Sequence, residues 1–190
     1  MTINVWSYLE EYQDEKTDIN EAIDSVLNSG QLILGPHVKA FENEYASYCG
    51  TNYAIGVANG TDAITIGLRA LDIGRGDEVI TVSNTAVPTV SGIIDAGATP
   101  RFVDIDPTTY LMDVSLLEDL INDKTKCILP VHLYGQCVDM EKVCEIAKKY
   151  NLKVFEDCAQ AHGALFNGKV AGSLGDASST SFYPTKILGT

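Results

Sequence analysis

Apolar residues recur along this chain with two different periods. Between Asp14 and Asn28 they fall at Ile19, Ala22, Ile23, Val26 and Leu27, the spacing of one face of an α-helix, and Gly30 is placed to end it. Beyond the "LILGP" corner the same spacing predicts a second amphipathic helix over Val38 to Tyr48, closed by Gly50. Shorter apolar runs then alternate with helical stretches. "YAIGV" reads as a strand and "TDAITIGLRAL" as a helix; "DEVITV" is a strand with "VPTVSGIIDA" a helix behind it. "TPRFVDI", "KCILPV" and "LKVFED" are further strands, and "SLLEDLI" and "MEKVCEIAKKY" are helices between them.

Strands this short and apolar, alternating with helices, predict an α/β fold whose parallel sheet is covered on both faces and joined by right-handed crossovers. No internal repeat, low-complexity tract or linker interrupts the pattern. In such sheets ligands gather at the carboxyl ends of the strands, so the loops there are where chemistry is expected.

Composition narrows the picture. At 190 residues and 45% hydrophobic content the chain can bury a real core, as one domain or one large piece of a domain. A formal charge of −13 argues against general affinity for nucleic acid or anionic membranes, although a local pocket can still hold an anion. No apolar run is long enough to span a bilayer, and Met1-Thr2-Ile3-Asn4 lacks a secretory start, so a soluble cytoplasmic protein is expected. Cys49, Cys127, Cys137, Cys144 and Cys158 are odd in number and lack CxxC spacing, which reads as reduced, mostly buried thiols. His37, His132 and His162 form no ligand pair at helical spacing, so no metal site is expected.

Three loops carry candidate chemistry, each with an ordinary explanation beside it. "VANGTDAI" follows a strand and opens a helix at Gly60-Thr61, where free N–H groups suit a phosphate; Asn59 or Thr61 could equally be a plain helix cap. Asp157, directly after the apolar run "LKVF", should emerge at a strand's carboxyl end. It could cap a loop, or accept a hydrogen bond from a protonated heteroaromatic nitrogen, with Gln160 offering a donor and an acceptor to a ring substituent. In "SFYPTKILGT", Ser181 offers a hydroxyl and Lys186 an amine. Most such lysines are surface decoration; a nucleophilic one needs surroundings that favour the neutral amine. Taken together, a helix start for phosphate, an acid for a pyridinium nitrogen and a lysine for an aldehyde are the needs of pyridoxal phosphate.

Order and context sharpen this. "EDCAQAHGA" followed by "GSLGDASSTSFYPTK", with "LGPHVKAFENEYASYCG", "GVANGTDAI", "GRGDEVITV" and "PVHLYGQCVDMEKV", resembles the DegT/DnrJ/EryC1 sugar aminotransferases from about Trp6 to the last residue. The resemblance implies the three-layer α/β/α large domain of the fold type I transferases, over residues 1–190 and incomplete at its C-terminal end. It implies that Lys186 bonds the cofactor aldehyde, Asp157 pairs with the pyridine nitrogen, and Gln160 meets the ring hydroxyl. Ser181 and the backbone of Gly60 and Thr61 would hold the phosphate. L-glutamate would donate the amine and a nucleotide-linked keto-sugar accept it; "SNTAVPTV" is most like enzymes that aminate C3 of dTDP-3-oxo-6-deoxyhexoses. A homodimer is implied for the intact enzyme.

Two positions depart from the resemblance. Many relatives stack an aromatic on the ring where Ala86 stands, and many have asparagine in place of Ile187. Relatives also continue well beyond the lysine, so the 190-residue form is expected to be inactive alone. A chain that binds pyridoxal phosphate without turnover, or that serves only a structural or interaction role, stays open as the alternative. "GALFNGKV" falls one residue short of a P-loop because Val170 replaces the magnesium-binding hydroxyl, and "AIGVANG" lacks dinucleotide-fold spacing. Sugar dehydratases of the same family carry histidine where Lys186 stands, which favours transamination.

Overall fold

The computed structural model describes residues 7–189, in two compact units. One comprises the residues up to Ser47 together with Asn52–Gly56; the other comprises Tyr48–Thr51 and the chain from Val57 onward.

In the first unit, α1 spans Leu9–Ser29 and starts earlier than its apolar spacing predicts. Gly30 ends it in the left-handed region at φ 70°, a conformation that is cheap without a Cβ. Ile19, Ile23 and Leu27 lie exposed along it. Helix α2 follows over Pro36–Cys49, with its residues up to Ser47 in this unit. The stretch "YAIGV" is not a strand, contrary to its pattern: Tyr53 and Ile55 are 84% and 79% exposed. The physical reason is that a strand exists only through a ladder partner. Here the Gly56 N–H instead donates to the Glu42 carboxylate of α2 at 2.7 Å.

The second unit carries the sheet. Its elements are α3 (Gly60–Ala70), β1 (Glu78–Val82), α4 (Val87–Ala96), β2 (Thr99–Val103), α5 (Leu117–Leu120), β3 (Thr125–Ile128), α6 (Met140–Tyr150) and β4 (Lys153–Asp157). A hairpin of β5 (Leu165–Phe166) and β6 (Lys169–Val170) and then β7 (Ala177–Ser179) complete the described chain. The stretch "SLLEDLI" is shorter than its pattern suggests: a 3-10 turn over Val114–Leu116 precedes the single turn of α5.

The five-stranded sheet has the order β2-β1-β3-β4-β7, and every neighbouring pair is parallel. The chain leaves β1 toward β2 through α4 and leaves β3 toward β4 through α6, so its direction across the sheet reverses. Right-handed crossovers then place α4 and α6 on opposite faces. Helix α3 packs on α4 and reaches β4 and β7, whereas α5 packs against β2 and α6 against β3 and β4. The result is the three-layer α/β/α arrangement of the fold type I large domain.

The core lies where these layers meet. Phe155, Leu68, Ile80, Ile93, Leu117, Ile128 and Leu129 are all fully buried, each contributing about 1.5–3 kcal/mol of burial. Two glycines let the layers approach. An added Cβ at Gly67 would overlap the ring edge of Phe155 and lie 2.9 Å from its Cζ; one at Gly92 would lie 2.7 Å from Ile64 Cβ and 3.2 Å from the Thr61 carbonyl oxygen. These contacts fix α3, and with it the position of its first turn. The P-loop-like "GALFNGKV" is the β5–β6 hairpin, turned by Asn167 (φ 50°) and Gly168 (φ 77°). Asn-Gly is the favoured pair for that turn. None of the five cysteines is in a disulfide, and Cys49, Cys127 and Cys158 are buried.

Candidate active site

Helix α3 begins with a cap that leaves part of its start unused. The Asn59 side chain accepts the Asp62 N–H at 2.9 Å, while the Gly60 and Thr61 N–H groups have no partner among the described residues. The cap and the anion-binding start are therefore compatible: Asn59 serves one orphan amide and two point onward. A Cβ at Gly60 would lie 3.3 Å from Ser181 Cβ and 3.5 Å from its Oγ. Ser181, 121 positions away in sequence, is thus brought against the first turn of α3, an approach that a side chain at Gly60 would crowd. The Ser181 Oγ accepts the Tyr183 N–H at 3.3 Å, and its proton stays available to donate.

Asp157 is the last residue of β4, at the strand's carboxyl end. Its neighbour along the strand, Glu156, points to the other face and is fully buried. Asp157 is 4% exposed, and each oxygen has one donor: the Ala159 N–H to Oδ1 at 3.1 Å and the Thr89 hydroxyl to Oδ2 at 2.7 Å. Burial pushes this carboxyl above its ordinary value; the Thr89 and Ala159 hydrogen bonds and the nearby His132 and Lys186 pull it back only partly. A buried carboxylate with lone pairs to spare and a raised proton affinity is a strong acceptor for a charged N–H.

Gln160 is more restricted than its sequence suggests. Its Oε1 accepts the backbone N–H of Tyr134 at 3.2 Å. Since an N–H must meet the oxygen, the amide orientation is fixed and its NH2 is the side left to donate. Tyr134 itself is held in the left-handed region at φ 55°.

Lys186 is half-buried, its N–H closing a turn on the Tyr183 carbonyl at 2.8 Å, and it makes no ion pair among the described residues. It lies close enough to Asp157 and His162 to bear on both charges. Ala86, at the start of α4, is exposed.

Three features had no clear signal in the sequence. Thr89 reaches Asp157 from a helix 68 positions earlier, and Thr85 Oγ1 lies 2.7 Å from Thr89 Oγ1. Both ring nitrogens of His162 are buried without a hydrogen bond, its ring edge-on to Phe182 at 5.4 Å. Burial lowers its proton affinity; the Ser181 backbone opposes this and Lys186 adds to it. Glu156 accepts four N–H groups: Leu174 and Gly175 at 2.7 Å on Oε1, and Gly172 at 2.9 Å with His132 Nε2 at 3.0 Å on Oε2. Burial raises its proton affinity, but the His132 bond and the backbone amides outweigh it, leaving the carboxyl below its ordinary value. Cys158 joins His132 and Glu156 with donor atoms all within 4.8 Å of one another. Both carboxylate oxygens already hold N–H donors, and the His132 Nδ1 accepts from Val138 at 3.2 Å, so hydrogen bonding accounts for the cluster.

The residues present fit pyridoxal phosphate on these observations. Ser181 stands against the first turn of α3, whose Gly60 and Thr61 amides have no partner among the described residues; the Asp157 carboxylate has one donor per oxygen and lone pairs to spare, and Lys186 makes no ion pair among the described residues.

The sequence model of the DegT/DnrJ/EryC1/StrS aminotransferase family matches residues 13–190. Over 189 residues the chain is 54% identical to dTDP-3-amino-3,4,6-trideoxy-alpha-D-glucose transaminase of Micromonospora megalomicea subsp. nigra, covering 100% of this chain and 50% of that protein. It is 57% identical over 171 residues to dTDP-3-amino-3,6-dideoxy-alpha-D-galactopyranose transaminase of Aneurinibacillus thermoaerophilus, covering 90% and 46%. Among solved structures it resembles S. venezuelae DesV in complex with a ketimine intermediate, with a TM-score of 0.95, 40% identity, and coverage of 98% and 50%. It also resembles NtdA from Bacillus subtilis with bound cofactor PMP, at a TM-score of 0.86, 41% identity, and coverage of 93% and 40%. The chain spans about half the length of the curated relatives it matches.

Proposed function

The chain belongs to the DegT/DnrJ/EryC1/StrS aminotransferase family, and from that premise we propose that residues 1–190 are the pyridoxal-phosphate-binding large domain of a sugar aminotransferase. The reaction moves an amino group from L-glutamate to a nucleotide-linked keto-sugar, of the dTDP-3-oxo-6-deoxyhexose class. Relatives named as dTDP-aminosugar transaminases support that substrate class. The observation that carries the reading is the meeting of Gly60 with Ser181 beside a buried Asp157 and the unpaired Lys186.

Pyridoxal phosphate, when bound, supplies an aldehyde that takes up an amino group and a protonated ring that accepts electrons from a substrate C–H bond. The residues divide the remaining work. The Gly60 and Thr61 amides, with the Ser181 hydroxyl, hold the phosphate at the positive end of α3. Asp157 accepts the ring N–H and keeps that proton in place, its lone-pair energy otherwise spent in a desolvated site. Gln160, its oxygen engaged by Tyr134, donates an N–H to the ring oxygen. Lys186 Nζ would be the amine that condenses with the aldehyde, with loss of water, and as a free amine it would be the base that holds and moves the proton of the substrate carbon.

The intact enzyme acts as a homodimer, and five cysteines with no disulfide among them suit a reducing cytoplasm. No helix among the described residues is long and apolar enough to cross a membrane.

The test is spectroscopic and then catalytic. Purified protein with added pyridoxal phosphate should show an absorbance band near the visible that Lys186→Ala lacks. Amination of a dTDP-keto-sugar by the intact enzyme should require L-glutamate. A band that survives Lys186→Ala sinks the covalent assignment, and a protein that binds no cofactor sinks the whole reading.

A further inference from the structure

We propose that Thr89, backed by Thr85, is the positioning residue that keeps Asp157 charged and aimed at its partner. This rests on the reading of Asp157 as acceptor for the ring nitrogen. Thr89 is 1% exposed at the start of α4, and its hydroxyl lies 2.7 Å from Asp157 Oδ2. Each threonine hydroxyl has one proton. The carboxylate can only accept, so the Thr89 proton goes to Asp157, and the 2.7 Å contact with Thr85 must then be donated by Thr85. The result is a directed chain, Thr85 to Thr89 to Asp157, in which each bond polarises the next.

The chain's effect follows from where Asp157 sits. A carboxylate in so dry a place tends to take up a proton, and a protonated carboxyl no longer accepts the ring N–H through that oxygen. Thr89 binds the charged form and opposes that tendency. It also holds Oδ2 while the Ala159 amide holds Oδ1, which fixes the plane of the group. The other groups facing Asp157 are Lys186 and His132, which favour its charge, and Cys158, the next residue, whose thiol is itself raised by burial. Glu156 turns to the opposite face, with four N–H partners of its own. Helix α4 meets Asp157 through the Thr89 hydroxyl, with Thr85 behind it in the segment that precedes the helix.

The structural alternative is that Thr89 merely fills space. Thr89→Val keeps the shape and removes the hydroxyl. The experiment is carbon-13 NMR of protein labelled at aspartate carboxyls, without cofactor, with the Asp157 signal identified by its loss in Asp157→Asn. Thr89→Val should move the Asp157 midpoint upward by about one pH unit, about tenfold in proton affinity. Thr89→Ser should restore it, and Thr85→Val, which leaves the bond to Asp157 in place, should move it the same way by less. A folded Thr89→Val with an unmoved midpoint overturns the proposal; should that variant not fold, an unmoved midpoint in Thr85→Val does so. Retention of added pyridoxal phosphate by Asp157→Asn is measured separately. Undiminished retention there overturns the ring-nitrogen reading, while the NMR midpoints still decide whether Thr89 governs Asp157.

Discussion

Gly67→Ala joins the packing of the fold to the working of the site. The added methyl would overlap the edge of the Phe155 ring and lie 2.9 Å from its Cζ, where carbon atoms rest at about 3.5–4.0 Å. Phe155 cannot retreat, because it is fully buried in β4, whose hydrogen-bonded neighbours are β3 and β7. Overpacking of this kind costs about 1–3 kcal/mol, and the direct overlap with a ring held in the sheet argues for the upper end. Alanine recovers about 1 kcal/mol as the better helix former. The net loss is about 2 kcal/mol, or a fall of about 4–8 °C in melting temperature for a chain of this size. Because α3 must shift outward, Gly60 should also move from Ser181, weakening retention of pyridoxal phosphate. The assay is a thermal melt and a cofactor titration on Gly67→Ala, Phe155→Leu and the double variant. Removing the ring's far edge should relieve the overlap, so the double variant should be clearly more stable than additivity allows. Strict additivity, or a Gly67→Ala protein as stable as the parent, refutes the reasoning.

Asp157→Asn should stabilise the cofactor-free protein at neutral pH while abolishing firm cofactor retention. The folded carboxyl is raised by burial, so its favourable contribution is complete only below the unfolded value near pH 3.9 and is lost as pH rises through the folded value; the variant's advantage should vanish in acid, and a larger advantage at pH 4 than at pH 7 would contradict this. Glu156→Gln should cost about 3 kcal/mol or more, because an amide NH2 then faces N–H donors in a buried site. The Glu156 carboxyl is depressed in the fold, so its contribution is present above the unfolded value near pH 4.3 and fades as pH falls through the folded value; urea midpoints across pH check whether the gap to wild type closes in acid. Asn59→Ala should cost about 1 kcal/mol by removing the acceptor of the Asp62 N–H, with hydrogen exchange at Asp62 rising more than at Leu68 as the signature.

Much of the architecture was legible in order along the chain. The stretch "VPTVSGIIDA" is α4 and "MEKVCEIAKKY" is α6, residue for residue, because apolar period and the flanking residues are local properties. Asp157 was readable as the end of β4 for the same reason: an apolar run stops there. The Asn-Gly of the β5–β6 hairpin is equally local, a turn pair that lies inside the P-loop-like stretch. "YAIGV" has the pattern of a strand, but among the described residues its backbone has no ladder to join.

What the sequence determined by itself, then, is the succession of elements and the chemical kinds of residue standing at their ends. Tertiary structure decided which of those residues meet. Ser181 against Gly60, Thr89 on Asp157, and four N–H groups around Glu156 join positions up to 121 residues apart. Periodicity reports only how a residue relates to its near neighbours. A hydrogen bond or a close approach needs two segments placed within a few tenths of an ångström, and that placement comes from the packing of helices and loops on the sheet.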